Sequence, residues 1–153
     1  MATEPFNRFI IRVYALIFKD EYHLLLSDEF MLDTRMIKFP GGGIHFGEGP
    51  ADCLKREALE EFGQEIEILS HYYTTDYFQK ALFCDNAQLI SIYYKVRFKE
   101  QIRFRISEAP FDFPEMVNGS QRFRWVDLRN SNSAGLTFPI DKIVFEKLQN
   151  EIV

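Results

Sequence analysis

The sequence predicts a mixed α/β fold in which helices cover a β-sheet, and three features carry that expectation. Segments rich in β-branched and aromatic residues, such as Arg8–Phe18 (RFIIRVYALIF) and Leu89–Phe98, recur with turn residues between them. Two other stretches, Pro50–Phe62 and the segment opened by Pro139, repeat their apolar residues at helical spacing. The order of elements is strands, helix, strands, helix, which packs as layers of an α+β or mixed α/β kind. With 153 residues a single domain over 1–153 is expected, and sixteen Phe and seven Tyr give its core large fillers.

Taken in order, Arg8–Phe18 reads as a strand bounded by Asn7 and by Lys19-Asp20-Glu21. Tyr22–Ser27 follows across that short break, so the two are expected to form a hairpin. A polar stretch, Asp28–Arg35, leads into a short strand Met36–Phe39, which Pro40 and the glycines end. The helix after Glu48 has Pro50 in its first turn and Gly63 just past its end. At 100° per residue Leu54, Ala58, Ala51 and Phe62 share one sector, while Glu57, Glu60 and Glu61 share the next. Three strands are expected after it, Ile66–Thr75, Tyr77–Phe83 and Leu89–Phe98, with Asp85-Asn86-Ala87 as the hairpin loop between the last two. Phe104 and Ile106 alternate only weakly. Ser107–Ser120 carries two prolines and a glycine and reads as a loop of the length that is often functional. Arg122–Leu128 is the last strand, with Trp125 as core, and the closing helix from Pro139 aligns Ile140, Val144, Leu148 and Ile152.

A net charge of −5 argues against general affinity for nucleic-acid backbones, so no duplex partner is expected. A small phosphorylated ligand is compatible with that charge, since a bound metal inverts the local field. Cys53 and Cys84 lack metal-ligand spacing and read as buried free thiols. The start MATEPFNRF has no basic and apolar signal pattern, and no apolar run reaches membrane-spanning length. The expectation is a cytoplasmic chain with no membrane partner.

Chemistry concentrates in Phe39–Gln64, FPGGGIHFGEGPADCLKREALEEFGQ. Glu57, Glu60 and Glu61 stand side by side on a helix, where like charges cost a few tenths of a kcal/mol per pair. A cation is the simplest compensation.

Here the sequence resembles the Nudix hydrolase family. That family's box runs Gly, five residues, Glu, seven residues, Arg-Glu, an aliphatic, any residue, Glu-Glu, any residue, Gly and an aliphatic. Gly42, Glu48, Arg56, Glu57, Ala58, Glu60, Glu61 and Gly63 fill it without a gap, and only Gln64 departs, at a packing position. The resemblance implies an α/β/α sandwich with a mixed β-sheet. It also implies hydrolysis of a diphosphate linkage in a nucleoside diphosphate joined to another moiety, or of a nucleoside triphosphate. Hard oxygen donors suit Mg²⁺ or Mn²⁺. By resemblance Glu57, Glu60 and Glu61 are the ligands, Glu48 joins directly or through water, and the backbone carbonyl near Gly41 or Gly42 is a further ligand. Arg56 is expected to orient a glutamate, and the glycines to let the chain curl around the ion.

The family often takes a catalytic base from the loop before the last strand, which makes Glu115 the first candidate and Glu108 the second. His45 reads as an exposed loop residue, while Tyr72, Tyr73, Tyr77 and Phe78 read as sheet-packing aromatics that could instead stack on a base. Homodimerisation comes only with the resemblance. No extended signature before or after the box selects a substrate. A non-catalytic nucleotide-binding module of the same family is the contrasting expectation, and the four retained glutamates speak against it.

Overall fold

Strand β1 (Arg8–Ile17) sets the layering, because its inward residues alternate between two cores. In the computed structural model, which describes residues 6–152, Val13, Ala15 and Ile17 join one apolar cluster while Tyr14 and Leu16 join another. Helix α1 (Pro50–Phe62) fills the first with Cys53, Leu54, Ala58 and Phe62. Helix α2 (Pro139–Glu151) fills the second with Ile140, Val144, Phe145 and Leu148. Helices therefore cover opposite faces, as in the expected sandwich.

The remaining strands are β2 (His23–Met31), β3 (Thr34–Lys38), β4 (Gly41–Gly43), β5 (Ile66–Thr74), β6 (Ala87–Phe98) and β7 (Ser120–Asp127), and a 3₁₀ turn spans Ser133–Gly135. They form two sheets, β4-β1-β6-β5 and β3-β2-β7. The first is mixed, with β1 parallel to β6 and the other pairs antiparallel. The second is wholly antiparallel.

Several sequence expectations are corrected. Strands β1 and β2 share only the Phe18–Leu24 bridge and then diverge into different sheets, so they are not an extended hairpin. The polar stretch after Ser27 is instead the real hairpin: β2 continues to Met31, turns at Leu32-Asp33 with φ of 51° and 56°, and returns as β3. Positive φ at both central residues suits the right-handed twist of paired strands. Asp28 is polar yet fits a strand interior, since it is buried and satisfied by a two-pronged bond from Arg124 at 2.7 and 3.0 Å.

Tyr77–Phe83 is not a strand and, among the described residues, makes only the Lys80–Gln88 bridge, leaving Phe78, Leu82 and Phe83 exposed. Asn86 turns with φ 58°, and Ala87 already belongs to β6. The 107–119 segment is irregular, as expected, with Ile106 bridged to Phe123. Trp125 is half-buried at the edge of the α1 core, Cys53 is buried, and Cys84 is only half-buried. No helix among the described residues is long and apolar enough to cross a membrane.

Candidate active site

The box is built by a strand end, a loop and a helix start. Gly49 caps α1 and its N–H donates to Asp52 Oδ2 at 2.9 Å, with Pro50 in the first turn. Gly63 ends the helix at φ 65°, its N–H reaching Leu59 O at 3.0 Å. These ends fix the register that carries the glutamates.

β4 runs antiparallel to β1 and brings its glycines under the helix. A Cβ on Gly42 would stand 2.2 Å from Glu57 Oε1, and one on Gly41, at φ 146°, would stand 2.1 Å from the Val13 carbonyl. Neither position admits a side chain as the backbone lies. Gly41 O faces Lys38 Nζ at 3.5 Å, whereas Gly42 O lies 3.9 Å from the buried Cys53 sulfur. Of the two carbonyls expected to contact an ion, Gly41 is the one beside the charged cluster.

Arg56 ties the loop to the helix. It donates to Glu48 at 3.0 and 2.7 Å, to Glu57 Oε1 at 3.0 Å, to Glu60 Oε2 at 3.2 Å and to Gly43 O at 3.0 Å. Hydrogen bonding from Arg56 holds the Glu48 carboxyl down to about 2, and the His45 N–H adds a bond to Glu48 Oε1 at 2.8 Å. His45 itself is exposed.

Glu61 points the other way, into the protein. Its Oε1 accepts from Gln121 Nε2 at 3.4 Å, while its buried Oε2 has no partner among the described residues. Burial pushes the Glu61 carboxyl up to about 7, an effect that Lys38 opposes and that Glu29 and Glu57 reinforce. Beside it, Glu29 Oε2 accepts from Ser27 Oγ at 2.8 Å and Gln121 Nε2 at 3.1 Å, and pairs with Lys38 Nζ at 3.1 Å. Lys38 is buried and lies 5.6 Å from the Tyr14 ring centre.

Glu57 and Glu61 border, with Gly41, a void of only about 10 Å³ otherwise walled by core residues such as Leu54, Ala58 and Phe62, while Glu48 and Glu60 sit around Arg56. Glu60 is the most exposed of the four, at 57%. Glu115 is exposed and lines a separate surface depression with Phe113, Pro114 and Arg122, and Glu108 is exposed as well. Tyr72 and Tyr73 pack toward α2 and bond Glu151 and Asp76 through their hydroxyls. Lys38, Glu29 and Gln121 were not anticipated. The available signal was a lysine in an apolar strand end just before the glycines, since a charge placed there requires a partner.

The donors suit a hard cation in kind: an orphaned buried carboxylate oxygen, a second carboxylate packed on glycine, and a carbonyl. As they stand, no three Asp, Glu, His or Cys side chains among the described residues gather closely enough to hold one. Arg56 draws three of the carboxylates to itself, which accounts for that spread.

Fold and site together define a class. The profile of the NUDIX domain matches residues 8–145, so the chain belongs to the Nudix family. It is similar to the RNA pyrophosphohydrolase of Helicobacter pylori, 58% identical over 36 residues, a stretch that spans 23% of this chain and 23% of that relative. Its fold matches a MutT protein from Methanosarcina mazei (TM-score 0.66, 19% identity, 98% of each chain). It also matches a Nudix hydrolase from Nitrosomonas europaea (TM-score 0.66, 17% identity, 93% of this chain and 88% of that one). An ADP-ribose pyrophosphatase from Streptococcus suis aligns with TM-score 0.59 at 16% identity, over 93% of this chain and 90% of the other.

Proposed function

We propose that the chain hydrolyses the diphosphate linkage of a nucleoside diphosphate joined to another moiety, with Mg²⁺ or Mn²⁺ held at Glu57 and Glu61 and with Glu60 and Glu48 completing the set. The observation that carries this is the orphaned Glu61 Oε2, buried one helical turn along α1 from Glu57. A buried unpartnered carboxylate oxygen is costly, and a cation or a transferable proton satisfies it. When bound, the divalent ion neutralises phosphate oxygens and acidifies water.

The chain's own residues do the rest. Arg56 holds Glu57 and Glu48 in place through its fork of donors. Glu61, with Oε2 buried and unpartnered among the described residues, is assigned to the ion, and Glu115, which lines a separate surface depression, is given no role as base. Lys38 keeps a positive charge beside Glu61 through Glu29.

The test is a screen of nucleotide sugars, ADP-ribose, dinucleotides and nucleoside triphosphates with Mg²⁺ or Mn²⁺, reading phosphate after coupling to a phosphatase. Turnover should fall at least about a hundredfold in E61Q and stay within a few fold in E115Q. No metal-dependent turnover of any substrate would sink the proposal and leave the non-catalytic binding module. A second reading, a pyrophosphohydrolase acting on a triphosphate, draws on the 36-residue likeness to RNA pyrophosphohydrolase. A preference for triphosphates over linked diphosphates in the same screen would select it.

A further inference from the structure

Gln64, which stands where the box usually carries an aliphatic residue, is buried just past the end of α1, 4% exposed. Its amide is spent on backbone 37 and 39 positions away: Nε2 donates to Gln101 O at 3.0 Å, and Oε1 accepts from the Arg103 N–H at 2.7 Å. Donating to one carbonyl and accepting from the N–H two residues on is how a residue of a parallel strand bonds its neighbour. Main-chain pairing has just run out at this point. The β5–β6 ladder closes at Ile66 opposite Phe98, with one more bond from the Lys99 N–H to Glu65 O at 3.1 Å. The Gln64 side chain carries the pairing onward, along a stretch that has no strand of its own.

That stretch then becomes the outer neighbour of β7. Phe104 enters the ring cluster, its centroid 4.6 Å from Phe62, 5.4 Å from Phe98 and 5.5 Å from Phe123. Ile106 bridges Phe123 in parallel, and the Ser107 N–H donates to Phe123 O at 2.7 Å. β7 therefore lies between β2 on one side and Phe104–Ser107 on the other. Two residues before Phe123, Gln121 Nε2 holds Glu29 and Glu61 at 3.1 and 3.4 Å. The connections form a closed ring: Glu61, the end of α1, Gln64, the 101–107 stretch, β7, Gln121 and Glu61 again. An aliphatic residue at 64 could fill the same space but would make neither bond.

We propose that Gln64 is a positioning residue for the box: by tying Gln101 and Arg103 to the end of α1 it fixes β7 beside the helix and so keeps Gln121 on Glu61. The consequence for turnover rests on the hydrolase reading, whereas the tie itself does not.

The experiment compares wild type with Gln64→Met, which keeps the side-chain length and loses both bonds. Amide hydrogen exchange and the NMR signals of the Gln121 side-chain amide are read without substrate, and kinetics are read on the substrate found in the screen. Exchange at Arg103 and at Ser107 should quicken by about tenfold or more, and the Gln121 signals should shift. The kcat should fall about tenfold with KM within about threefold, because Glu61 is assigned to the ion and not to substrate contacts. Arg103→Ala, which removes an exposed side chain and keeps the N–H, should leave all of these readings as in wild type. Gln64→Leu repeats the test if the Met variant does not fold. Unmoved Gln121 signals, exchange quickened nowhere or at Arg103 alone, kcat within about threefold of wild type, or equal changes in Arg103→Ala would each overturn the proposal. Faster exchange and shifted Gln121 signals in a protein that turns over no substrate support the tie and remove the hydrolase reading.

Discussion

Glu57 lies so close to Gly42 that a single methyl at position 42 would stand 2.2 Å from its Oε1. Gly42 has no left-handed φ to defend, so the reason for glycine there is space for the carboxylate. Gly42→Ala should displace Glu57 and lower kcat about a hundredfold, the scale of an ångström misplacement in a catalytic group, while circular dichroism stays native. Activity within threefold of wild type would mean that Glu57 has no fixed role in that position.

Arg56 meets three carboxylates and a carbonyl, using geometry that a lysine cannot copy. Arg56→Lys keeps the charge and loses the fork. We expect kcat to drop about tenfold or more, with Tm lowered as well, because the Arg56 pairs to Glu48 and Glu57 are partly buried. Equal losses in Lys and Met variants would show that geometry, not charge, is what Arg56 supplies, and an unaltered Lys variant would contradict the clamp.

The box was legible because its chemistry is local: strand, loop and helix hold Gly42, Glu48, Arg56 and the glutamates at spacings that read directly along the chain. The Lys38–Glu29–Gln121–Glu61 network was not, since Gln121 and Glu29 are 92 positions apart and meet only once β2 pairs with β7. Asp28 and Glu29 look like loop residues until their partners Arg124 and Lys38 are known. For the same reason the two-sheet division stayed hidden, because the split between β1 and β2 depends on what each strand pairs with afterwards. Tyr77–Phe83 had strand composition without a neighbouring strand in register, and its aromatics were left at a cavity rim and on the surface.

Phe62 anchors α1 within a ring cluster, its centroid 4.5 Å from Phe123, 4.6 Å from Phe104 and 5.1 Å from Phe98. Phe62→Ala should cost about 3–5 kcal/mol through lost burial and the cavity left behind. Urea unfolding monitored by far-UV dichroism would read this as a lower midpoint at unchanged slope. A loss below 1 kcal/mol would show that the cluster collapses to fill the space.

Asp141 is buried in the first turn of α2, where the Tyr93 hydroxyl donates to its Oδ1 and its Oδ2 has no partner among the described residues. Burial pushes its carboxyl up to about 6, with Tyr93 and Lys38 opposing. For an acid whose folded value lies above its unfolded one, the folded state holds the extra proton between the two values, so stability falls as pH rises from about 4 to about 6. The difference in unfolding free energy between wild type and Asp141→Asn should therefore decline across that window, by on the order of 2 kcal/mol, and be level above it. A difference that stays constant from pH 4 to 7 would remove burial of this carboxyl as the cause.

Metal binding gives the sharpest test of the carboxylate set. With Arg56 occupying Glu48, Glu57 and Glu60 and with Glu61 Oε2 unpartnered, ion binding must exchange some Arg56 contacts for ion contacts. Ion binding to the folded chain alone raises stability by about 2.7 kcal/mol at a hundred times Kd, which for a domain of this size is a Tm rise of roughly 5–10 °C. Mn²⁺ or Mg²⁺ should produce that saturable rise in wild type, and excess EDTA should reverse it. Glu57→Gln and Glu61→Gln should each reduce it sharply, because each removes a charged donor from the box. Glu60→Gln separates two arrangements: a full rise in this variant places Glu60 with Arg56 alone, whereas a lost rise means that the helix face swings Glu60 inward when the ion binds. Identical shifts in wild type and the Glu57→Gln/Glu61→Gln double variant would move the ion away from the box altogether.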